Sequence, residues 1–265
     1  MWSWGSLVQP FIEGNNLTAT MSVGNTWLDN GGNGDAITLH ADTLQTPLPD
    51  FRCPSDVGPE LNQDRALKGT FAIATSNYVA CNSAYEPAPF RPNLIPINWR
   101  GTFIENQGMA FRDILDGTSN VFALGERRWR VRQSGSANEI VIVGASMVFG
   151  RRALSATSAS GHVADVAGGG IVRLNVSDAA VAYNRQSARV RQGFSSQHPG
   201  GSMFSLADGS VRFVSETIDT KGYNAAGLNV DGVMALSNIA TATAALDSTF
   251  EYLFAIFDGN SVGKY

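Results

Sequence analysis

Charge is scarce in this chain. Asp, Glu, Lys and Arg make up 16% of its 265 residues and leave a formal net charge of −4. No basic stripe runs along it, so nucleic acid is not an expected partner. Cysteine is limited to Cys53 and Cys81, and histidine to His40, His162 and His198. Their spacing fits no zinc-ligand pattern, since no second cysteine pair or nearby histidine pair completes one. No apolar run reaches the ~18 residues a membrane helix needs. The longest candidate, Val233–Leu246, is diluted by Ser237, Asn238, Thr241 and Thr243. Met1 is followed at once by Trp2, with no basic-then-apolar segment that would read as a signal peptide.

Catalytic signatures are missing too. Ser195, Ser196 and Ser202 lie near His198, but no G-x-S-x-G elbow follows a strand and opens a helix. Gly168-Gly169-Gly170 is not followed by Lys-Ser/Thr, so it is no phosphate loop. His40 and His162 fall in unrelated polar segments. The expectation is a protein that is not an enzyme.

What the chain has in quantity is Gly, Ser, Thr and Asn, a balance that suits a β-rich domain better than a helical bundle. Its length allows one large domain with an ample core. The clearest segment runs from Gly193 to Val214. It reads as a loop, a strand, an Asp208-Gly209 turn and a second strand. A two-residue type I′ turn there places Leu206 opposite Val211 and Phe204 opposite Phe213, all four on one core face. His198 precedes this hairpin and Asp208 sits at its tip. A strand rises about 3.3 Å per residue, so the two are held well apart and cannot share a proton or ligand. Asp208 is read as a turn residue. His198 is read as a hydrogen-bonding residue holding the Pro199-Gly200-Gly201 bend, with metal binding as the alternative.

Elsewhere, the first dozen residues read as the tail of a helix stopped near Pro10. Asn30–Asp35 is a loop. Met109–Leu115 is a short helix ended by Gly117, and Val121–Leu124 is a strand. Glu139–Val143 and Ser146–Phe149 read as a hairpin, and Ile171–Val176 as a further strand. Arg151–Gly170 reads as a long loop. Ser248-Thr249-Phe250-Glu251 has the form of a capping box. It opens a helix whose Phe250, Leu253, Phe254 and Phe257 form a core stripe. Asp113, Asp116, Thr118, Ser119 and Asn120 gather oxygen ligands of the kind calcium takes; a helix end followed by a turn with local side-chain caps is the preferred explanation of them.

The spacing His198-x9-Asp208-Gly209, set in Phe-Ser-Ser-Gln-His-Pro-Gly-Gly and Asp-Gly-Ser-Val-Arg-Phe, resembles the planctomycete-type prepilin-like H-x9-D-G family, a domain of unknown function numbered 1559. Four further blocks resemble it in order: Trp2–Glu13, Phe51–Asp56, Ser76–Ala80, and Asp113–Asn120 with Gly125-Glu126. The resemblance spans the chain and implies an α+β fold: a globular head on an antiparallel sheet with short helices, like the pseudopilins of type II secretion. The family's basic leader and long apolar N-terminal helix are missing or truncated here. Residues 1–265 are expected to form one such domain, with 130–192 a variable insertion.

What the resemblance implies for function is a structural, non-enzymatic pilin-type subunit head of an extracytoplasmic filament or secretion-associated assembly. Its partners would be like or related subunits, and its membrane contact would run only through the missing helix. Calcium is the cofactor implied by pseudopilin loops. An exported head also makes a Cys53–Cys81 disulfide an expectation, contributing roughly 3 kcal/mol, against the alternative of two unrelated buried thiols. The second functional reading is a soluble extracytoplasmic glycan- or protein-binding module using the Asn30–Asp35 and Arg151–Gly170 loops.

Overall fold

The computed structural model describes residues 1–85, 87, 97–132, 140–151, 163–170, 172–175, 191–220, 246, 248–260, 262–263 and 265. The fold is α+β. Its strands are β1 (Leu61–Leu67), β2 (Phe71–Ser76), β3 (Tyr78–Ser83), β4 (Phe122–Glu126), β5 (Arg130–Arg132), β6 (Ile140–Ile142), β7 (Ser146–Met147), β8 (Ala167–Gly169), β9 (Gly201–Leu206) and β10 (Val211–Ser215). They form a three-stranded sheet in the order β1-β2-β7, a five-stranded sheet in the order β10-β9-β4-β3-β8, and the β5-β6 pair. Neighbours are antiparallel except β3 and β8, which run parallel.

The helices are short: α1 (Trp4–Val8), α2 (Asn15–Met21), α3 (Ala36–Leu39), α4 (Ala41–Leu44) and α5 (Thr249–Tyr252). The expected stop at Pro10 is realised as a 3-10 turn over Gln9–Phe11. Ser3 caps α1 by accepting the Gly5 N–H, and its own hydroxyl donates to the Val148 carbonyl. One side chain thus satisfies a free helix donor and pins α1 to the segment after β7.

Two apolar clusters result. The first lies on the five-stranded sheet and is aromatic: Phe122, Phe194, Phe204, Phe250 and Phe254 are all buried together. Phe122 stacks on Phe204 at 4.2 Å, and Phe254 meets Phe122 edge-on at 5.3 Å. Gly125 makes the close packing possible, since a Cβ there would sit 2.5 Å from both Phe194 and Phe204. The second cluster packs α2, α3 and α4 on the three-stranded sheet through Met21, Ile37, Leu44, Ile73 and Phe149.

A single residue, Asn77, separates β2 from β3 and carries the chain from one sheet to the other. Its amide oxygen accepts the Cys53 N–H, and its amide nitrogen donates to Asp56 at 2.7 Å and to the Arg127 carbonyl. Two fully buried arginines tie the remaining segments to this crossing. Arg65 donates to the carbonyls of Val143, Gly144, Ala164 and Arg191 and pairs with Asp165 at 3.0 Å. Arg127 donates to the carbonyls of Gly193, Ala145, Ala164 and Ala167. Burial lowers both guanidinium pKa values; repulsion from Arg191 adds to this at Arg65, and repulsion from Arg65 and Arg191 adds to it at Arg127, Asp165 opposing in both; Arg65 is brought to about 10.

Several local expectations need correction. Val211 pairs with Ser205 and Phe213 with Met203, a register one residue away from that of a two-residue turn. The Leu206 N–H donates to the Ser210 carbonyl and the Leu206 carbonyl accepts the Gly209 N–H, so the loop is Ala207-Asp208-Gly209. Only Gly209 has positive φ, at 84°. This is a three-residue loop with a left-handed glycine, where type I′ needs two such residues. A one-residue slip moves side chains to the other face. Phe204, Leu206 and Val214 are therefore buried, while Val211 and Phe213 are exposed.

The segment Met109–Leu115 forms only a 3-10 turn, Phe111–Asp113, with Phe111 and Leu115 exposed. Strand β6 pairs with β5, and β7 pairs with β2, so the two do not form a hairpin. Residues 172–175 turn instead of extending, and β8 lies inside the segment read as the 151–170 loop. Ser248 makes no cap; Thr249 N–H goes to Asp219 instead, and α5 is one turn long. Phe250, Leu253 and Phe254 are buried as expected, but Phe257 is exposed. The Val233–Leu246 stretch, apart from Leu246, and His162 lie outside the described residues, as do 133–139, 152–162 and 176–190 of the 130–192 region. Of the described parts of that region, β7 and β8 join the two main sheets. No helix among the described residues is long and apolar enough to cross a membrane.

Candidate functional site

The sheet crossing at Asn77 builds a side-chain cluster beside it. Cys53 is held by the Asn77 amide. Strand β4 ends in Glu126, and Tyr78 at the start of β3 is its register partner. Across β4 lies β9, where the Met203 N–H and the Ser202 hydroxyl both donate to Glu126 Oε2, at 2.8 and 3.1 Å. That fixes the carboxylate and turns Oε1 toward His198, whose Nε2 lies 3.3 Å away. His198 is set by its own N–H donating to Ser196 Oγ, while the Ser196 hydroxyl donates to the Gly201 carbonyl. Cys53 Sγ lies 3.7 Å from the same Nε2. The three donor atoms Sγ, Oε1 and Nε2 all fall within 4.8 Å of one another. Cys53 and Glu126 are buried, and the His198 side chain is 34% exposed, so the cluster has one side open to solvent.

Electrostatics set the thiol apart. Burial pushes the Cys53 pKa up, the Ser55 N–H opposes this, and Glu126 and Asp56 push it further up. Burial, then Cys53 and Glu126, raises the Tyr78 phenol in the same way. Burial and the nearby carboxylates thus favour the protonated thiol, and no arginine or lysine side chain bonds to the three donor atoms in the described residues.

The expected site residues divide accordingly. The bend is bridged by the Ser196 hydroxyl, which accepts the His198 N–H and donates to the Gly201 carbonyl, while the His198 ring lies against Glu126 and Cys53. Asp208 is a turn residue: its Oδ1 accepts both the N–H and the hydroxyl of Ser210, at 2.8 and 2.6 Å. Those two bonds hold its carboxyl below the usual carboxylate range. Cys53 and Cys81 are free thiols, which corrects the disulfide. Cys53 faces the His198 cluster, whereas Cys81 packs in the aromatic core beside Val79 and Phe122.

The oxygen-rich segment is occupied locally. Asp113 accepts the Ala110 N–H, Asp116 accepts the N–H groups of Asp258 and Gly259, and Asn120 donates to the Asp116 carbonyl. Thr118 offers its carbonyl to Asp208 N–H, and Ser119 lies in the same turn. In the Asn30–Asp35 loop, Asp35 caps α3 and pairs with Lys68 at 2.7 Å.

Sequence reasoning missed Glu126, Asn77 and the two buried arginines. The signal was present for two of them, because Asn77 and Glu126 sit inside blocks that carried the family resemblance. Those blocks, Phe51–Asp56, Ser76–Ala80, Gly125-Glu126 and the His198 segment, are distant in sequence and meet here.

A second feature lies elsewhere. An open groove of about 940 Å³ runs beside α1, lined by Trp4, Leu7, Phe11, Phe103, Phe111 and Leu124 among others. Leu7 is 61%, Phe111 73% and Phe11 84% exposed, an unusual density of large apolar side chains in water.

No curated protein and no solved structure matches the chain. One family model does, over residues 1–221. The chain belongs to the family described as Protein of unknown function (DUF1559).

Proposed function

We propose that the chain is a structural, non-enzymatic subunit head of a pilin- or pseudopilin-like extracytoplasmic assembly, and that it meets its neighbours through the face beside α1. The observation that carries this reading is the apolar groove with Leu7, Phe11, Phe103 and Phe111 at its rim. Its occupant is the matching apolar face of a like subunit. A second copy laid face to face along α1 covers all four side chains. Family membership and the prepilin-like resemblance support the same reading.

The energetics fit an assembly of many weak contacts. Fully burying one such side chain is worth about 1.5–3 kcal/mol, so four partly exposed ones give on the order of 4–7 kcal/mol. Association costs at least about 4 kcal/mol in lost rigid-body freedom. Two isolated heads therefore associate weakly, and stable assembly needs several contacts made together.

Sedimentation velocity from micromolar to about millimolar protein tests this. Reversible association is expected to appear as concentration rises and to vanish in Phe11→Asp, while that variant keeps its far-UV circular dichroism. A monomer at every concentration, or association untouched by Phe11→Asp, rules out this face.

A further inference from the structure

We infer that Cys53, Glu126 and His198 form a binding site for one divalent transition-metal ion of the zinc type. Two of the three donor separations match those of a tetrahedral site. Zinc binds sulfur at about 2.3 Å, imidazole nitrogen at about 2.0–2.1 Å and carboxylate oxygen at about 2.0–2.2 Å. Tetrahedral angles then put sulfur and nitrogen about 3.6 Å apart, and nitrogen and oxygen about 3.3–3.5 Å apart. The observed separations are 3.7 Å for Cys53 Sγ to His198 Nε2 and 3.3 Å for His198 Nε2 to Glu126 Oε1. The third pair, sulfur to oxygen, falls within the 4.8 Å that bounds the cluster.

A His198–Glu126 pair alone accounts for two of these groups. The Cys53 sulfur, from a segment 145 residues away, converges on the same nitrogen, and a shared cation would hold all three donors together. Outer partners orient the ligands of a metal site, and here they hold the Glu126 side chain and the Cys53 and His198 backbones. Glu126 Oε2 is fixed by Met203 and Ser202, leaving Oε1 free to bind. The Cys53 backbone is fixed by Asn77, and the His198 backbone by Ser196. A thiolate, an imidazole and a carboxylate together favour zinc over calcium or magnesium, which take oxygen ligands. Three protein ligands with the His198 side open leave a fourth position for water or for a donor from another molecule. The ion would also tie three remote segments to the sheet crossing. This inference is independent of the assembly proposed above.

The test uses the full chain, freed of metal with a chelator and titrated with zinc chloride, then with cobalt(II) chloride. One ion per chain is expected, with a thiolate-to-cobalt charge-transfer band. Cys53→Ser is expected to remove the band, and His198→Ala to weaken zinc binding at least about tenfold. Cys81→Ser and Asp208→Asn should bind as the parent does. His198 is half-exposed, so His198→Ala is the variant that keeps the fold if Glu126→Gln does not. Absence of zinc binding overturns the inference. So does binding that survives both Cys53→Ser and His198→Ala, or a cobalt band that disappears with Cys81→Ser alone.

Discussion

Replacing Arg127 with Met removes the donor fork at the centre of the fold while keeping a similar volume. Four carbonyls lose a bond: those of Gly193, Ala145, Ala164 and Ala167. Ala164 keeps its bond from Arg65 at 2.9 Å, and the Ala145 bond is long at 3.4 Å, so neither loses much. Gly193 and Ala167 are left without a side-chain donor. A buried acceptor deprived of its partner costs about 1–3 kcal/mol, so the two cost about 2–6 kcal/mol. Against this stands relief from burying a second cation near Arg65, since removing buried charge in favour of an apolar side chain often recovers stability. Arg127 has no carboxylate partner of its own among its bonds, so this recovery is real, and at about 1 kcal/mol it leaves a net loss of about 1–5 kcal/mol. Urea unfolding followed by tryptophan fluorescence measures it, with the midpoint expected to fall and the slope to stay constant. Arg127→Lys should lose nearly as much, because an ammonium cannot span the positions a planar fork reaches. An Arg127→Met variant within about 0.5 kcal/mol of the parent refutes the idea that these bonds organise the segments around β8.

Three further outcomes are expected. Gly125→Ala forces the Phe194 and Phe204 rings apart and should cost about 1–3 kcal/mol in the same urea assay; an unchanged midpoint contradicts the packing described. For Asp35, burial raises the pKa, but Lys68, Thr38 and the N–H groups of Asn30 and Thr38 outweigh it and hold the carboxyl at about 2. A pKa below its unfolded value of about 3.9 stabilises the fold above that pH, and the contribution fades as pH falls toward 2. Lys68 is partly exposed, which screens the pair, so the contribution is about 1–2 kcal/mol. The stability gap between the parent and Asp35→Asn should therefore close between about pH 4 and pH 2, and a gap constant over that range argues against it. Finally, thiol titration without reductant should find both cysteines reactive once the chain is unfolded and both slow while it is folded; no reactive thiol in the unfolded chain would restore the disulfide.

How far the fold was legible in the sequence follows the range of the interactions. Alternation and turn chemistry located β9 and β10 and the Asp208 turn, because both are local. The hairpin register was misjudged, since Asp-Gly closes either a two- or a three-residue loop and only Gly209 needed positive φ. Phe250, Leu253 and Phe254 were legible as core from spacing alone, although α5 is only one turn and Ser248 caps nothing. The candidate site was half legible. His198 stood out through the motif, and the separation of His198 from Asp208 followed from strand rise. Its real neighbours did not, because Cys53 comes from a loop before β1 and Glu126 from the end of β4. Only the sheet crossing at Asn77 brings them together. Arg65 and Arg127 were invisible for the same reason, as their partners, Asp165 apart, are backbone carbonyls that leave no pattern in side-chain identity.

X-ray absorption at the zinc edge of the zinc-loaded chain tests most directly whether His198 works with Cys53 and Glu126. One sulfur at about 2.3 Å with nitrogen and oxygen neighbours at about 2.0–2.2 Å is the expected shell, and the sulfur should vanish in Cys53→Ser. A shell of nitrogen and oxygen alone in the parent protein would contradict it.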